Sequence, residues 1–273
     1  MKVKVSFFNP KLLKNYFEFL SIISVLSSFL LIVITIPNNL KFCVGISLLL
    51  FFLLIYFIMW LLANLKSKRK LNINNSTLIV KLGDIFKEEG LKVISFNEYF
   101  DIDVDNRIIA ESSLNGVYLK TKVLNLDKFE NKLNTDIHLK ECIIEQNVNR
   151  TKGRKVKYKL GTIFQNDDFL LTAFSKFDEN DRAYLYMKDY VDFLLNFWNE
   201  IDIIYAGRSV TLPLLGSGLT RFKENVNITE QELLELIIWS FKVSKIKFTY
   251  PSKITILISD RIKNKINFYK LNE

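Results

Sequence analysis

The chain has one histidine and two cysteines in 273 residues. A single histidine, His138, excludes histidine-rich metal sites and argues against a Ser-His-Asp relay. Cys43 lies in an apolar run and Cys142 about a hundred residues away, with no C-x-x-C spacing. The pair therefore suggests neither a zinc ribbon nor a disulfide framework, and reads as two inert thiols in a reducing compartment. His138 sits in the polar stretch "NTDIHLKE" and reads as a surface residue. Walker-A spacing and G-x-G-x-x-G are both missing, so the two commonest phosphate-cradling signatures are excluded. There is no internal repeat. Acid is nearly absent from the first 70 residues, which carry nine basic side chains and only Glu18. The rest of the chain carries 29 basic and 28 acidic residues. The overall charge of +9 thus belongs to the N-terminal flanks, and a nearly neutral remainder argues against a nucleic-acid partner.

What is present in that basic region is apolar length. Phe17–Ile36 and Phe42–Leu62 are each about 20 residues long, enough to span a bilayer at ~1.5 Å per residue. The turn "PNNLK" between them is too short for anything but a helical hairpin. Four basic residues precede the first span, four follow the second, and only Lys41 lies between. The positive-inside rule then puts both termini in the cytoplasm of a two-span inner-membrane protein. Tyr56 and Trp60 fit an aromatic belt at the cytoplasmic end. A cleaved signal peptide is disfavoured, because no A-x-A site follows and a second span comes at once. Ser21, Ser24 and Ser28 recur on one helix face, where they could pack against the second span or between protomers.

After the polar linker Lys66–Ser76, apolar runs alternate with amphipathic ones. Strands are expected at Leu78–Leu82, Leu91–Phe96, Phe169–Phe174, Val210–Leu215 and Ile254–Ser259. Helices are expected at Leu126–Leu133, at Met187–Tyr205 with a stop at Gly207, and from the capping box Thr229-x-x-Glu232 to about Lys245. The alternation predicts an α/β layered domain over residues 71–273, behind a membrane hairpin over residues 1–70.

Three loops could carry chemistry. Gly216-Ser217-Gly218 ends an apolar strand and reads either as a turn or as a nest whose backbone N–H groups hold a phosphate. Asp84 at a strand end either caps a turn or accepts a hydrogen bond from the exocyclic amine of a base. Glu98, Asp101, Asp103 and Asp105 crowd one loop without EF-hand spacing and read as a solvated acidic loop. Ser113–Gly116 reads as a further turn, and "RTKGRKVKYK" as a solvated basic hairpin.

Taken in order, these motifs resemble a macro domain, three-layered α/β/α around a mixed central sheet. "GDIF" resembles the segment whose aspartate meets the adenine amine, which assigns that role to Asp84 with Ile85 beside it. "VISFN" ends in Asn97, which the resemblance assigns to the distal ribose. "SLNGVYL" resembles the glycine-rich pyrophosphate loop and brings in Asn115, Gly116 and Val117. "LPLLGSGLT" resembles the second phosphate loop, with Leu215, Gly216, Ser217, Gly218 and Leu219. The family's first asparagine and its full glycine run are missing, which favours a binder over a membrane-anchored ADP-ribosyl hydrolase. "NEYFD", "LTAFSKFDEN" and "ELLELIIWSFKVSKIK" resemble more closely the specialised macro domain of transmembrane effectors in the bacterial Thoeris anti-phage system. That resemblance implies an ADP-ribose-derived messenger made from NAD by a companion TIR-domain enzyme. It also implies assembly into a homo-oligomer and damage to the bilayer. No catalytic residue, cofactor or metal is expected.

Overall fold

The computed structural model describes residues 3–224 and 227–271 and divides into two compact units. The first comprises Met1–Ser67 with Asn267–Lys270. Helix α1 (Pro10–Val33) opens with Asn9 at its N-cap, whose side chain accepts from Lys11 and Leu12 N–H, and with Pro10 in the first turn. Both residues suit a helix start, since the cap satisfies orphan donors and proline lacks one. Helix α2 (Lys41–Leu65) follows. Both are long and apolar enough to cross a membrane. The first begins seven residues before the expected span and ends at Val33, three residues short of Ile36.

The base of the hairpin is polar and tied. Asn64 Oδ1 accepts from Lys4 N–H (2.7 Å) and Val5 N–H (2.9 Å), and Trp60 Nε1 donates to Val5 O (2.9 Å). Tyr16 stacks edge-on against Tyr56 and donates to Phe52 O. Asn267 Nδ2 donates to Lys4 O (2.8 Å), and Asn15 Nδ2 donates to Tyr269 Oη (2.9 Å), so the late segment belongs to this base. The serine face is exposed. Ser21 and Ser28 donate to carbonyls of their own helix (Glu18 and Ser24, both 2.8 Å), a common way to satisfy a hydroxyl in an apolar setting.

The second unit is built on a nine-stranded sheet. Its elements begin with β1 (Lys68–Ile73), β2 (Ser76–Leu82), β3 (Leu91–Asn97), α3 (Leu114–Lys122), α4 (Leu126–Thr135) and α5 (Ile137–Glu141). A small hairpin, β4 (Ile143–Gln146) and β5 (Val156–Tyr158), precedes β6 (Ile163–Asn166), β7 (Phe169–Phe177) and β8 (Ala183–Tyr186). Last come α6 (Met187–Ile204), β9 (Val210–Pro213), β10 (Arg221–Lys223), α7 (Glu230–Ser244) and β11 (Lys253–Ile258). The stretch read as a linker is β1 and its turn, paired antiparallel with β2 from Lys68↔Lys81 to Ile73↔Ser76. The strand order is β1-β2-β11-β9-β3-β7-β8-β10, with β6 also on β7. From β2 to β7 the five central strands are all parallel.

Parallel strands covered on both faces read as continuous apolar runs, which is why "ITILI" and "LKVISF" are legible as strands. Successive side chains leave opposite faces of the sheet. Along β7, Leu171 and Ala173 join Tyr118, Phe129, Leu133 and Leu139 of α3–α5. Phe174 instead meets Tyr190 and Phe193 of α6. Helices α6 and α7 pack together, and Trp198 Nε1 donates to Ser240 Oγ (2.9 Å) between them. The result is the expected three-layer arrangement.

Candidate functional site

Parallel strands point their carboxyl ends the same way, and open α/β sheets bind ligands along that edge. Strands β2, β11, β9 and β3 are consecutive neighbours. The loops leaving Leu82, Ile258, Pro213 and Asn97 therefore span about 15 Å of one edge, three steps of ~4.8 Å. Two of them are moored to the same strand: Gly83 N–H donates to Ile258 O (3.2 Å) and Leu214 N–H to Leu257 O (3.1 Å). The end of β11 thus holds the Gly83–Ile85 loop on one side and the Leu214–Leu219 loop on the other.

Asp84 is exposed, and its Oδ1 accepts from Phe86 N–H (3.1 Å), capping the short turn Ile85–Lys87. Capping uses one lone pair of one oxygen, so the carboxylate keeps acceptor capacity towards solvent. Ile85 is buried against the α3–α5 core. In the second loop Gly216 has φ +89°, a left-handed conformation open mainly to glycine. A Cβ there would come within 2.9 Å of the Phe222 ring, so this glycine serves the loop's own packing. Around Gly218 a Cβ would meet nothing within 4 Å, and the residue is exposed. Open backbone at Gly218 is what a phosphate nest needs. Ser217 Oγ donates back to Leu214 O (2.7 Å) and Tyr190 Oη to Leu215 O (3.0 Å), which fix the loop from within. Ser217's hydroxyl thus braces the turn, and Leu219 projects into solvent.

The two remaining motifs are placed differently from their sequence reading. Asn97 is buried: its Nδ2 donates to Asp101 Oδ2 (2.8 Å), and its Oδ1 accepts from Tyr99 N–H (3.0 Å) and Asp101 N–H (3.2 Å). Its carboxamide shapes the loop after β3. Ser113–Gly116 is no turn but the start of α3, with Ser113 as N-cap accepting from Gly116 N–H (3.2 Å) and meeting Asn115 Oδ1 at 2.6 Å. A Cβ on Gly116 would strike the Ala110 carbonyl, so that glycine seats the helix on the preceding loop. Val117 follows in the same first turn, half-buried.

The acidic loop is solvated only in part: Asp103 and Asp105 are exposed, but Glu98 and Asp101 are buried. Asp101 is fully buried and takes a two-pronged grip from Arg150, with Nη1–Oδ1 at 2.9 Å and Nη2–Oδ2 at 2.6 Å. Arg154 N–H adds a third bond to Asp101 Oδ1 (2.7 Å), and Arg150 stacks over the Tyr99 ring at 4.0 Å. The basic hairpin that supplies these arginines is therefore an inward-facing clamp. Glu98 is also buried, bonded by Phe177 N–H (3.2 Å) and 3.6 Å from Lys157. Burial pushes its carboxyl above the usual range, opposed by Lys157 and the Phe177 bond. Opposite-charge partners four dozen or more residues away leave no local trace in the sequence.

A separate cleft of about 690 Å³ is lined by Met187 and Val191 of α6 and by Glu232, Glu235, Leu236 and Trp239 of α7. Glu224, Glu232 and Glu235 line it with Trp239. Three carboxylates repel a diphosphate, so the sheet edge is the better seat for one.

A mixed sheet with a parallel centre, edged by these loops, layered by helices and preceded by two helices long and apolar enough to cross a membrane, defines a macro domain. The family profile "Thoeris protein ThsA, Macro domain" matches residues 78–259. The chain is 44% identical over 235 residues to Thoeris protein ThsA of Bacillus amyloliquefaciens (strain Y2), covering 84% of this chain and 76% of that one. Among solved structures it resembles the Oceanobacillus iheyensis macrodomain with MES bound (TM-score 0.46, 14% identity, 71% of this chain and 90% of that one). A variant of that macrodomain with ADPR gives TM-score 0.46 and 13% identity over 75% and 95% of the two chains. This chain belongs to the Thoeris ThsA macro-domain family.

Proposed function

We propose that this protein is a membrane effector of anti-phage defence, switched by an ADP-ribose-derived messenger that a companion TIR-domain enzyme makes from NAD. The carrying observation is the pair of loops moored to β11, with exposed Asp84 on one side and open backbone at Gly218 on the other. Asp84 would accept the adenine amine, and the Leu215–Leu219 backbone would cradle the diphosphate. The messenger acts as a ligand, and no cofactor is required. Binding favours an assembled state over the resting one, because only differential affinity shifts such an equilibrium. The hairpins then cluster as a homo-oligomer and disrupt the inner membrane, with both termini on the cytoplasmic side. A non-enzymatic role is supported by the loop after β3, where Asn97 and Asp101 spend their polar atoms on structural bonds. Titration of the full chain in detergent micelles with ADP-ribose and its amino-acid conjugates, followed by dye release from vesicles, tests the reading. Binding by at least one conjugate and ligand-dependent leakage are expected. Binding by none overturns it, and release of ADP-ribose from a modified protein favours the hydrolase alternative.

A further inference from the structure

The sequence treats His138 and Cys142 as a lone surface imidazole and an inert thiol. The fold brings them to one place with a third donor. His138 and Cys142 are four residues apart on α5 and its C-cap, hence on one helix face. Glu200, on α6, reaches the same point: its Oε2 lies 2.6 Å from His138 Nε2, and Cys142 Sγ lies 3.9 Å from that same nitrogen. All three donor atoms fall within 4.8 Å of one another, the one such cluster among the described residues.

A catalytic relay needs the two ring nitrogens to serve two different partners. Here thiol and carboxylate both address Nε2, so a Cys-His-Glu relay does not form. An ordinary ion pair accounts for histidine and glutamate but not for the thiol aimed at the same nitrogen. We infer that His138, Cys142 and Glu200 form a binding site for a borderline divalent transition metal, zinc foremost.

Nitrogen, sulfur and carboxylate oxygen in a three-plus-one set suit tetrahedral zinc better than magnesium or calcium. Tetrahedral bonds of ordinary length put N···O near roughly 3.4 Å and both N···S and O···S near roughly 3.6 Å, so the glutamate swings from the imidazole towards the sulfur and the thiol closes in, by relative shifts on the order of 1 Å. Two features around the donors serve such a site. Ile163 N–H donates to Glu200 Oε2 (3.2 Å) and so orients the carboxylate, as outer partners of metal ligands do. The Thr162 hydroxyl is completely buried beside the thiol and has no well-formed hydrogen bond among the described residues. A metal thiolate would accept from it. Glu200 is nearly buried whereas His138 is half-exposed, leaving a fourth position for water from the solvent side. The metal would staple α5 to α6. These elements flank the segment that delivers Arg150 and Arg154 to Asp101.

The test uses the full-length, untagged protein in detergent micelles, stripped with chelator and titrated with Co²⁺, then Zn²⁺. One equivalent of Co²⁺ should give thiolate-to-metal charge-transfer absorption that Zn²⁺ abolishes, and Zn²⁺ should raise the Tm of the stripped protein. Cys142→Ser should remove the charge-transfer band, Glu200→Gln should weaken Co²⁺ binding at least tenfold, and Cys43→Ser should change nothing. No band in the wild type, or a band that survives Cys142→Ser, overturns the site. Should Cys142→Ser fail to fold, His138→Ala at a half-exposed position decides: an unchanged band there overturns it equally.

Discussion

Asp101 and Arg150 meet in a two-pronged ion pair with neither side chain more than 8% exposed. The pair joins the loop after β3 to the turn after β4, and Tyr99 stacks on the guanidinium. Desolvating two charges is costly, and the cost is offset only while both stay paired. Arg150→Ala leaves Asp101 buried without its cationic partner, and is expected to cost about 3–5 kcal/mol. Arg150→Lys should recover only part of this, because an ammonium cannot form both prongs. Chemical denaturation of the three proteins checks it. Equal stability of wild type and Arg150→Ala would contradict the pairing.

Glu98 gives a pH signature. Burial raises its carboxyl pKa in the folded state, so the fold binds that proton more readily than the unfolded chain. Its contribution is fully favourable below the ordinary glutamate value and is lost as pH rises through the raised one. Glu98→Gln keeps an acceptor for Phe177 N–H but cannot titrate. The Tm difference, wild type minus variant, should therefore grow as pH falls from neutral towards the ordinary carboxylate range. A difference that is flat with pH would show that folding leaves the Glu98 carboxyl pKa where it is in the unfolded chain.

The two glycines of the second loop should separate. Gly216→Val forces a side chain into Phe222 from a left-handed backbone, and should destabilise the fold by ~1–3 kcal/mol. Gly218→Val meets open space and should leave stability within ~0.5 kcal/mol. Thermal unfolding distinguishes them, and equal Tm losses would contradict the loop geometry.

Asp84→Ser retains a capping oxygen for Phe86 N–H, since serine caps about as well as aspartate. The shorter hydroxyl does not reach an adenine amine. An unchanged Tm with roughly tenfold weaker ligand binding is expected, the loss of about one charge-assisted hydrogen bond. Unchanged affinity would remove Asp84 from the site.

Legibility in the sequence followed the range of the interaction. Leu91–Phe96 and Ile254–Ile258 are apolar on both faces and declare themselves as buried strands. Thr229 and Glu232 announce their helix because the capping box is local, and both bonds form at 2.8 and 3.2 Å. The start of α3 is misread because Ser113, Asn115 and Gly116 have turn chemistry, while the side chains that make a helix worthwhile, Tyr118 and Leu119, gain only by burial against the sheet. Asp101 and Arg150 look solvated because each charge's partner lies 49 residues away. A still longer separation, 62 residues, hides Glu200 from His138. Among the proposed ligand residues, the order along the chain is visible, but Asn97's inward commitment depends on the loop's three-dimensional path.

The central claim is that the edge formed by the Asp84 and Gly218 loops binds an ADP-ribose-type messenger. Calorimetric titration of wild type and Gly218→Val with ADP-ribose and its amino-acid conjugates tests it most directly. The account predicts saturable one-to-one binding of at least one of them to the wild type, weakened at least tenfold in a normally folded Gly218→Val protein. Undiminished affinity in that variant, or no binding to the wild type, would contradict it.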